Sequence, residues 1–214
     1  MVLIKFNKNM RNILLLMLSV ICLLQISCSS SPVPVEETGL NFNFYNGDDY
    51  IEDKKCAHVW RAKNDDATKV EIPSQVSYNG EVYPVTRIQN GAFSFCHNLK
   101  SVIIPNTVIE IENDAFEYCD NLKDVVLPNS IYRIDGCFRK CKSLKTIKIP
   151  NSVTIISDHA FEGCSSLENV EIPSSVRKIE AYAFYNCKLK KVRVPRECEI
   201  GHKAFKDACV LERY

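Results

Sequence analysis

The sequence predicts an α/β repeat solenoid dominated by β-structure, with a parallel sheet from about five coils of 22–23 residues and an N-terminal β-hairpin cap. Proline recurs at this interval, phenylalanine recurs in step with it, and aliphatic residues alternate before each proline. A unit this short cannot bury its own apolar positions. Neighbouring units must therefore stack around one continuous core.

The repeat unit has the consensus IPxxVxxIxxxAFxxCxxLxxVxIP. In its LxxVxIP part, Val102 and Ile104 alternate with Ser101 and Ile103, which predicts a strand with one buried face. We expect these strands to pair in parallel about 4.8 Å apart, opposite a wall of short strands, turns and single helical turns. The repeated prolines are Pro105, Pro128, Pro150, Pro173 and Pro195, and the repeated phenylalanines are Phe93, Phe116, Phe138, Phe161, Phe184 and Phe205.

Over roughly residues 70–209, these motifs resemble the BspA-like leucine-rich repeats of bacterial surface proteins, because SVxxI, AFxxC and LxxVxIP recur in that family's order and spacing. The resemblance implies a leucine-rich-repeat solenoid used for binding, as in surface antigens and adhesins that contact host matrix proteins or other cells. Two features depart from it. Cys137 replaces the alanine of AF, and the glycine that often follows VxxI is replaced by Gln89, Glu112, Asp135, Ser157 and Glu180.

Residues 1–27 have the features of a secretory signal peptide. Lys5, Lys8 and Arg11 precede the apolar residues 13–24, and this stretch is shorter than the roughly 20 residues of a membrane-spanning helix. Cleavage of the signal leaves 24 basic against 26 acidic residues. This balance provides no general electrostatic attraction for nucleic acid, which we do not expect as a partner.

Cys28 is the predicted lipidation site, since the LLQIS that precedes it resembles a lipobox with Gln25 in place of the preferred leucine. Buried acyl chains contribute about 0.8 kcal/mol per methylene, enough for several chains to hold a domain at the outer membrane. We expect the domain to be exported and to face the cell surface. A periplasm-facing anchor is the alternative to a surface location, because no acidic cluster precedes Glu36 and Glu37. Ordinary cleavage that leaves Cys28 unmodified is the alternative to lipidation.

Three further segments complete the predicted organisation. Residues 28–40 are polar and hold two prolines, which indicates a lipidated tether. Residues 41–88 are predicted to form a β-rich N-terminal cap with an insertion in the first coil, where Asn79 and Gly80 mark a hairpin turn. Residues 89–214 form the repeats and end in a degenerate C-terminal cap.

A column of cysteines follows the repeated phenylalanines at three residues, and we predict that it is a structural ladder of buried free thiols. Equivalent Cβ atoms in adjacent coils run parallel near 4.8 Å, whereas a disulfide prefers approximately 3.8 Å. Thiols so placed act as small apolar groups with weak hydrogen-bonding power. The sequence leaves a disulfide that involves Cys56, Cys137 or Cys209 as an alternative. The ladder consists of Cys96, Cys119, Cys141, Cys164 and Cys187.

No catalytic residue, metal site or cofactor is predicted, and we do not expect an enzyme. The chain has no CxxC, HExxH, GxSxG, P-loop or GxGxxG motif. The repeated cysteines are expected to lack the lowered pKa and the exposure that a nucleophile needs. The four histidines are expected to be solvated residues at variable or turn positions; they are His58, His97, His159 and His202.

The outward positions of the strands form the candidate binding face, the surface that solenoids commonly use for partners. It consists of Ser101, Ile103, Asp124, Val126, Thr146, Lys148, Asn169, Glu171, Lys191 and Arg193. Beside it stands a nearly all-lysine column of Lys100, Lys123, Lys145, Glu168 and Lys190. Residues 188–196 are rich in cations, and an acidic protein segment or a sulfated glycan is expected to be steered there.

The expected function is therefore that of a lipid-anchored cell-surface protein, monomeric, that binds a protein or glycan ligand and mediates adhesion to host or neighbouring-cell molecules. The alternative is a structural subunit of a cell-envelope complex that has no host ligand. The step from fold to adhesion rests on resemblance alone.

Overall fold

Each repeat unit forms short strands that lie parallel to those of the next coil. A computed structural model describes residues 33–46, 55–62, 66–206 and 208–214, so the predicted signal peptide and Cys28 lie outside the described residues. The described residues contain no α-helix and one 3-10 turn, Val35–Glu37. The prediction of a β-dominated repeat solenoid with parallel strands is confirmed. The single helical turns that we expected in each coil are ordinary turns.

The seventeen strands among the described residues follow one another along the chain. They are β1 Val33–Pro34, β2 Leu40–Asn46, β3 Lys55–Ala62, β4 Lys69–Glu71, β5 Gln75–Tyr78, β6 Glu81–Ile88, β7 Ser101–Ile103, β8 Glu110–Ile111, β9 Asp124–Val126, β10 Arg133–Ile134, β11 Thr146–Lys148, β12 Ile155–Ile156, β13 Asn169–Glu171, β14 Lys178–Ile179, β15 Lys191–Val194, β16 Glu199–Ile200 and β17 Val210–Arg213.

Two walls of parallel strands enclose the core. The long-strand wall contains β4, β7, β9, β11, β13, β15 and β17, which pair as β4-β7-β9, β11-β13 and β15-β17. Strand β9 also contacts β11, and β13 contacts β15. The short-strand wall comes from the VxxI motif and pairs as β10-β12-β14-β16, with β8 joined to β6. As predicted, Val102 and Ile104 are buried while Ser101 and Ile103 are partly exposed.

The N-terminal cap is a sheet in the order β1-β5-β6-β3-β2. Strands β5 and β6 form the predicted hairpin, in which Asn79 and Gly80 have φ values of 49° and 78°. Positive φ at both central residues is typical of the type I′ turn that matches the twist of the strands. The cap continues into the first coil, because the Gln89 amide donates to the Val59 carbonyl at 2.8 Å.

The end of the predicted tether belongs to this cap. Val33 pairs in parallel with Val76, and Leu40 is only 2% exposed. Leu40 belongs to the core and the partly buried Val35 packs against it, while Pro34 is tolerated because β1 is an edge strand. The tether that we expected over residues 28–40 therefore does not extend through residues 33–40, and residues 28–32 lie outside the described part of the chain.

A ladder of six stacked phenylalanine rings runs through the core from coil to coil. Neighbouring centroids are 5.0–5.6 Å apart and the ring planes differ by 5–10°. Every ring is at most 7% exposed. Offset stacking contributes about 0.5–1.5 kcal/mol per pair beyond burial, so each of the four interior rings stabilises the coil before it and the coil after it. The ladder consists of Phe93, Phe116, Phe138, Phe161, Phe184 and Phe205.

Left-handed backbone recurs at two positions in the AF turn, before the alanine and two residues after the phenylalanine. The non-glycine residues with positive φ at these positions are Phe95, Asp114, Tyr118, Lys140, His159, Tyr182, Asn186 and Lys203. Such a conformation costs about 1–2 kcal/mol for an L-residue. Side-chain stacking offsets part of this cost, since the Phe95 and Tyr118 rings stack at 4.9 Å and the Lys140 ammonium lies 4.5 Å from the Tyr118 centroid.

The ladder predicts that an interior ring matters more than a terminal one. Phe138→Ala removes stacking on both sides and leaves a cavity, and we expect it to lower the free energy of unfolding by about 3–5 kcal/mol. Phe205→Ala removes stacking on one side, against Phe184, and should lower it by less. Urea titration measures both losses. Equal losses would contradict a contribution from stacking across coils.

Candidate interaction surface

The ten candidate binding residues lie on the outer side of the long-strand wall. They are the first and third residues of β7, β9, β11, β13 and β15. The strand register keeps them in two columns, because Ser101 pairs with Asp124 and Ile103 pairs with Val126. Ser101 and Ile103 are partly exposed, and the other eight residues are exposed. The structure thus brings all ten to one surface.

One end of this surface is apolar. Val126 is 54% exposed and lies beside Ile103 in the adjacent coil, with Glu71 paired to Ile103 on the other side. From β11 onwards the same column carries charge, as Lys148 pairs in register with Glu171. A ligand on this wall would therefore meet an apolar patch and a mixed-charge segment.

At the C-terminal end of the surface, several cations of residues 188–196 contact acidic or aromatic side chains. Strand β17 pairs with β15, and the Lys191 ammonium lies 2.7 Å from a Glu212 carboxylate oxygen. The Arg193 guanidinium stacks over the Tyr214 ring at 5.0 Å. Since Lys188 also pairs with Glu168 at 2.7 Å, three cations of residues 188–196 already have partners. Two carboxylates and one aromatic ring therefore lie against the cations of this segment.

Strand β17 was missed because residues 210–213 lack the VxIP motif of the earlier strands. Its position depends on Arg213, whose guanidinium donates to the carbonyl oxygens of Pro195, Arg196 and Cys198 at 2.6–3.1 Å. The Tyr214 hydroxyl also donates to the Ile172 carbonyl at 2.7 Å. These bonds satisfy backbone acceptors in the last turn and cover the end of the stack.

The five ladder cysteines are buried, and four of their thiols donate hydrogen bonds across coils. Each of these thiols reaches the carbonyl oxygen of the phenylalanine one coil earlier, at 3.1–3.2 Å. The pairs are Cys119 to Phe93, Cys141 to Phe116, Cys164 to Phe138 and Cys187 to Phe161. The nine described cysteines are all free, including Cys56, Cys137 and Cys209.

Burial makes these thiols poor nucleophiles. It raises the pKa of Cys187 to about 12, and it raises the pKa values of Cys141 and Cys164 well above their usual range. A nucleophilic cysteine needs the opposite shift together with access to substrate. The arrangement therefore favours a structural role for the cysteine column.

His58 corrects the expectation that all four histidines are solvated. It lies in β3, is 1% exposed, and its Nε2 atom is 3.5 Å from the Cys56 Sγ atom. Its ring also packs against Tyr45, with centroids 4.4 Å apart. The reason is topological, because β3 lies between β2 and β6 in the cap sheet. The other three histidines, His97, His159 and His202, are partly or fully exposed in turns.

A polar cavity of about 340 Å³ lies beside the short-strand wall and was not predicted from the sequence. Its acidic groups are largely neutralised, since Arg87 pairs with Glu110 and Glu112 at 3.0 and 3.5 Å, and Arg133 pairs with Asp135. It is lined by Asn90, Glu110, Glu112, Asn113, Tyr132, Arg133 and Asp135. Across the described ranges, no group of three or more His, Cys, Asp or Glu side chains is arranged to hold a metal ion.

Within the part of the chain that the structure describes, no helix has both the length and the apolar character required to cross a membrane.

Comparisons with known proteins agree with this architecture. The sequence profile of the BspA-type leucine-rich repeat region matches residues 86–212 in six copies. A leucine-rich cell surface protein from Faecalibacterium prausnitzii has a similar structure, with 26% identity and a TM-score of 0.65 over 86% of this chain and 55% of that one. This chain thus spans about half of that protein's length. None of the proteins with curated functions matches the chain.

Two further structures share the fold. The leucine-rich repeat protein of T. pallidum is 24% identical, with a TM-score of 0.65 over 85% of this chain and 86% of that one. The pneumococcal vaccine antigen PcpA is 19% identical, with a TM-score of 0.65 over 85% of this chain and 49% of that one. At these identities the likeness shows the fold alone.

The raised thiol pKa values predict a loss of stability in alkali. Below pH 9 the thiols are protonated in both states, whereas above it only the unfolded chain ionises, because burial holds the folded pKa values higher. Stability is therefore lost as pH rises. Each fully buried thiol should lower the free energy of unfolding by about 1.4 kcal/mol between pH 8 and pH 10.

Urea titrations under reducing conditions at both pH values measure this loss. Tyrosine and lysine side chains also titrate in this range, so the variant Cys141→Ala isolates the thiol contribution. We expect its loss between pH 8 and pH 10 to be smaller than that of the parent by about 1.4 kcal/mol. An unchanged loss would show that the folded Cys141 thiol ionises normally.

Proposed function

Because the chain belongs to the BspA-type leucine-rich repeat family, we propose that it is an exported interaction protein, anchored at the outer membrane by a lipid on Cys28. Its long-strand wall binds a protein or glycan at the cell surface, and adhesion to host or neighbouring cells is the proposed role. A likeness to a protein described as a leucine-rich cell surface protein supports the location, at 26% identity.

The observation that carries the proposal is the apolar patch of Ile103 and Val126 on an ordered outer wall. Val126 is 54% exposed, and burial of apolar surface contributes about 25 cal/mol per Å². The backbone pairing of β7 with β9 holds the two side chains in place, so little conformational entropy is lost when a partner covers them. The polar columns that flank the patch supply hydrogen-bonding groups for specificity.

Binding fits this surface better than catalysis does. The thiols that could act as nucleophiles are buried with raised pKa values. The cavity beside the short-strand wall has carboxylates already engaged by Arg87 and Arg133. Repeat proteins of this kind recognise partners through extended outer surfaces, which is the arrangement of the ten wall residues.

Val126→Asp tests the binding face. A carboxylate buried without a partner costs well over the 1.4 kcal/mol that corresponds to a tenfold change, so binding to intact cells or to extracellular-matrix arrays should fall at least about tenfold. Ile109→Asp is the matched control, because Ile109 is 52% exposed next to the short-strand wall. Equal binding by the parent and Val126→Asp contradicts the assignment of this face.

Co-purification separates adhesion from the alternative of an envelope subunit. Gently solubilised membranes should yield the protein without a stoichiometric partner if its ligand is external. A stoichiometric envelope complex, together with no binding to cells or matrix arrays, would instead establish the structural-subunit function.

The anchor has its own test. We expect mass spectrometry of the protein purified from membranes to show a chain that begins at Cys28 and carries acyl groups. Cys28→Ala should abolish the modification and release the protein from the membrane fraction. Protease treatment of intact cells then distinguishes a surface location, where the solenoid is degraded, from a periplasm-facing one, where it is protected.

A further inference from the structure

We propose that Lys100, Lys123 and Lys145, here called the lysine column, form a linear anion site that takes a sulfated glycan chain lying across the coils. The inference rests on the proposed function and deepens it, since it names a ligand class for the edge of the long-strand wall. The three lysines are exposed, and each immediately precedes a strand of that wall.

A backbone hydrogen bond fixes Lys123 beside Lys100, and the contact of β9 with β11 places Lys145 in the next coil. The Lys123 amide donates to the Lys100 carbonyl at 2.9 Å, and the Glu168 amide donates to the Lys145 carbonyl at 3.1 Å. Adjacent coils are spaced about 4.8 Å apart, so the three ammonium groups start from points that span roughly 10 Å. Glu168, which is held by Lys188, closes the column on the C-terminal side.

The lysine column lacks the close ion pairs that several other described lysines make, a property that it shares with Lys148 and Lys190. Its only acidic neighbour along the column is Glu168, whose pKa is lowered mainly by Lys188 and also by Lys145. Across the described residues, no carboxylate lies within 4.0 Å of its three ammonium groups. Lys142, Lys178 and Lys188, in contrast, lie 2.7–3.1 Å from carboxylate oxygens. Like charges on adjacent strands are destabilising. Repulsion among the three ammonium groups therefore lowers the stability of the fold until an anion binds along them.

The neighbouring side chains favour a glycan over an acidic peptide. The adjacent outward column offers Ser101, Thr146 and Asn169, which are neutral groups that hydrogen-bond sugar hydroxyls. Arginine is the usual partner of carboxylates, because its planar guanidinium binds them in a bidentate way, and the lysine column contains none. Lysine ammoniums act as point charges and suit sulfates carried on a flexible chain. Asp124 is the one acid of the adjacent column, and its negative charge disfavours a sulfate group at that position.

The test uses the full chain and a heparin oligosaccharide as the sulfated probe, with titration calorimetry at several salt concentrations. The column variant is Lys100→Gln with Lys123→Gln and Lys145→Gln. The matched control is Lys55→Gln with Lys142→Gln and Lys178→Gln, which removes the same charge from lysines paired with Glu81, Asp120 and Glu180. We expect the column variant to bind at least about tenfold more weakly, with a salt slope lower by about 2 to 3.

Stability provides a second readout that does not depend on binding. The column variant should be at least as stable as the parent, because it loses repulsion, whereas the control loses three ion pairs. Equal weakening of heparin binding in both variants overturns the proposal, since the attraction would then follow net charge. Equal affinity for desulfated heparin, or tighter binding of a polyglutamate peptide than of heparin, overturns the assignment to a sulfated glycan.

Failure of this inference is distinguishable from failure of the proposed function. Binding of the parent to cells or matrix arrays, without binding to heparin, rejects the lysine column and retains the binding face. Heparin binding that the column variant loses, combined with Val126→Asp behaving as the parent on cells, retains the lysine column and rejects the apolar patch.

Discussion

Stacking of one phenylalanine ring on the next is the constraint on which the rest of the molecule depends. No ring of the ladder is enclosed by its own coil, and each is buried because a neighbouring coil covers it. Stability in such a structure is a sum of contacts between nearest neighbours. The ends need separate cover, which β3 provides when the Ala62 amide donates to the Ala92 carbonyl, and which Arg213 and Tyr214 provide at the far end.

The same register determines the outer surface. When the rings align, the backbone bonds between coils align as well, so a residue at one position of the repeat lies beside its counterpart in the next coil. This is why Ile103 meets Val126, and why Lys100 meets Lys123. Substitutions at these outward positions leave the core untouched. Ligand preference can therefore change along the wall without any change of fold.

The sequence was sufficient for the features that repeat and insufficient for those that occur once. The phenylalanine and proline spacing predicted the coils, the parallel strands and the side that Val102 faces. His58 escaped prediction because a strand enclosed by β2 and β6 is buried on both faces and shows no alternation. The pairing of Val33 with Val76, and of Lys191 with Glu212, joins parts of the chain that no repeat relates. The left-handed residues of the AF turn were not predicted, because tyrosine and lysine rarely adopt a positive φ.

The thiol column has a consequence for how the chain folds. Secreted domains commonly rely on oxidative folding enzymes to form the correct disulfides, and reductants unfold many of them. Here the sulfur atoms serve as hydrogen-bond donors between coils, and the fold is complete with every described cysteine reduced. The described fold can therefore form without a disulfide isomerase, because none of its contacts requires a cysteine to be oxidised.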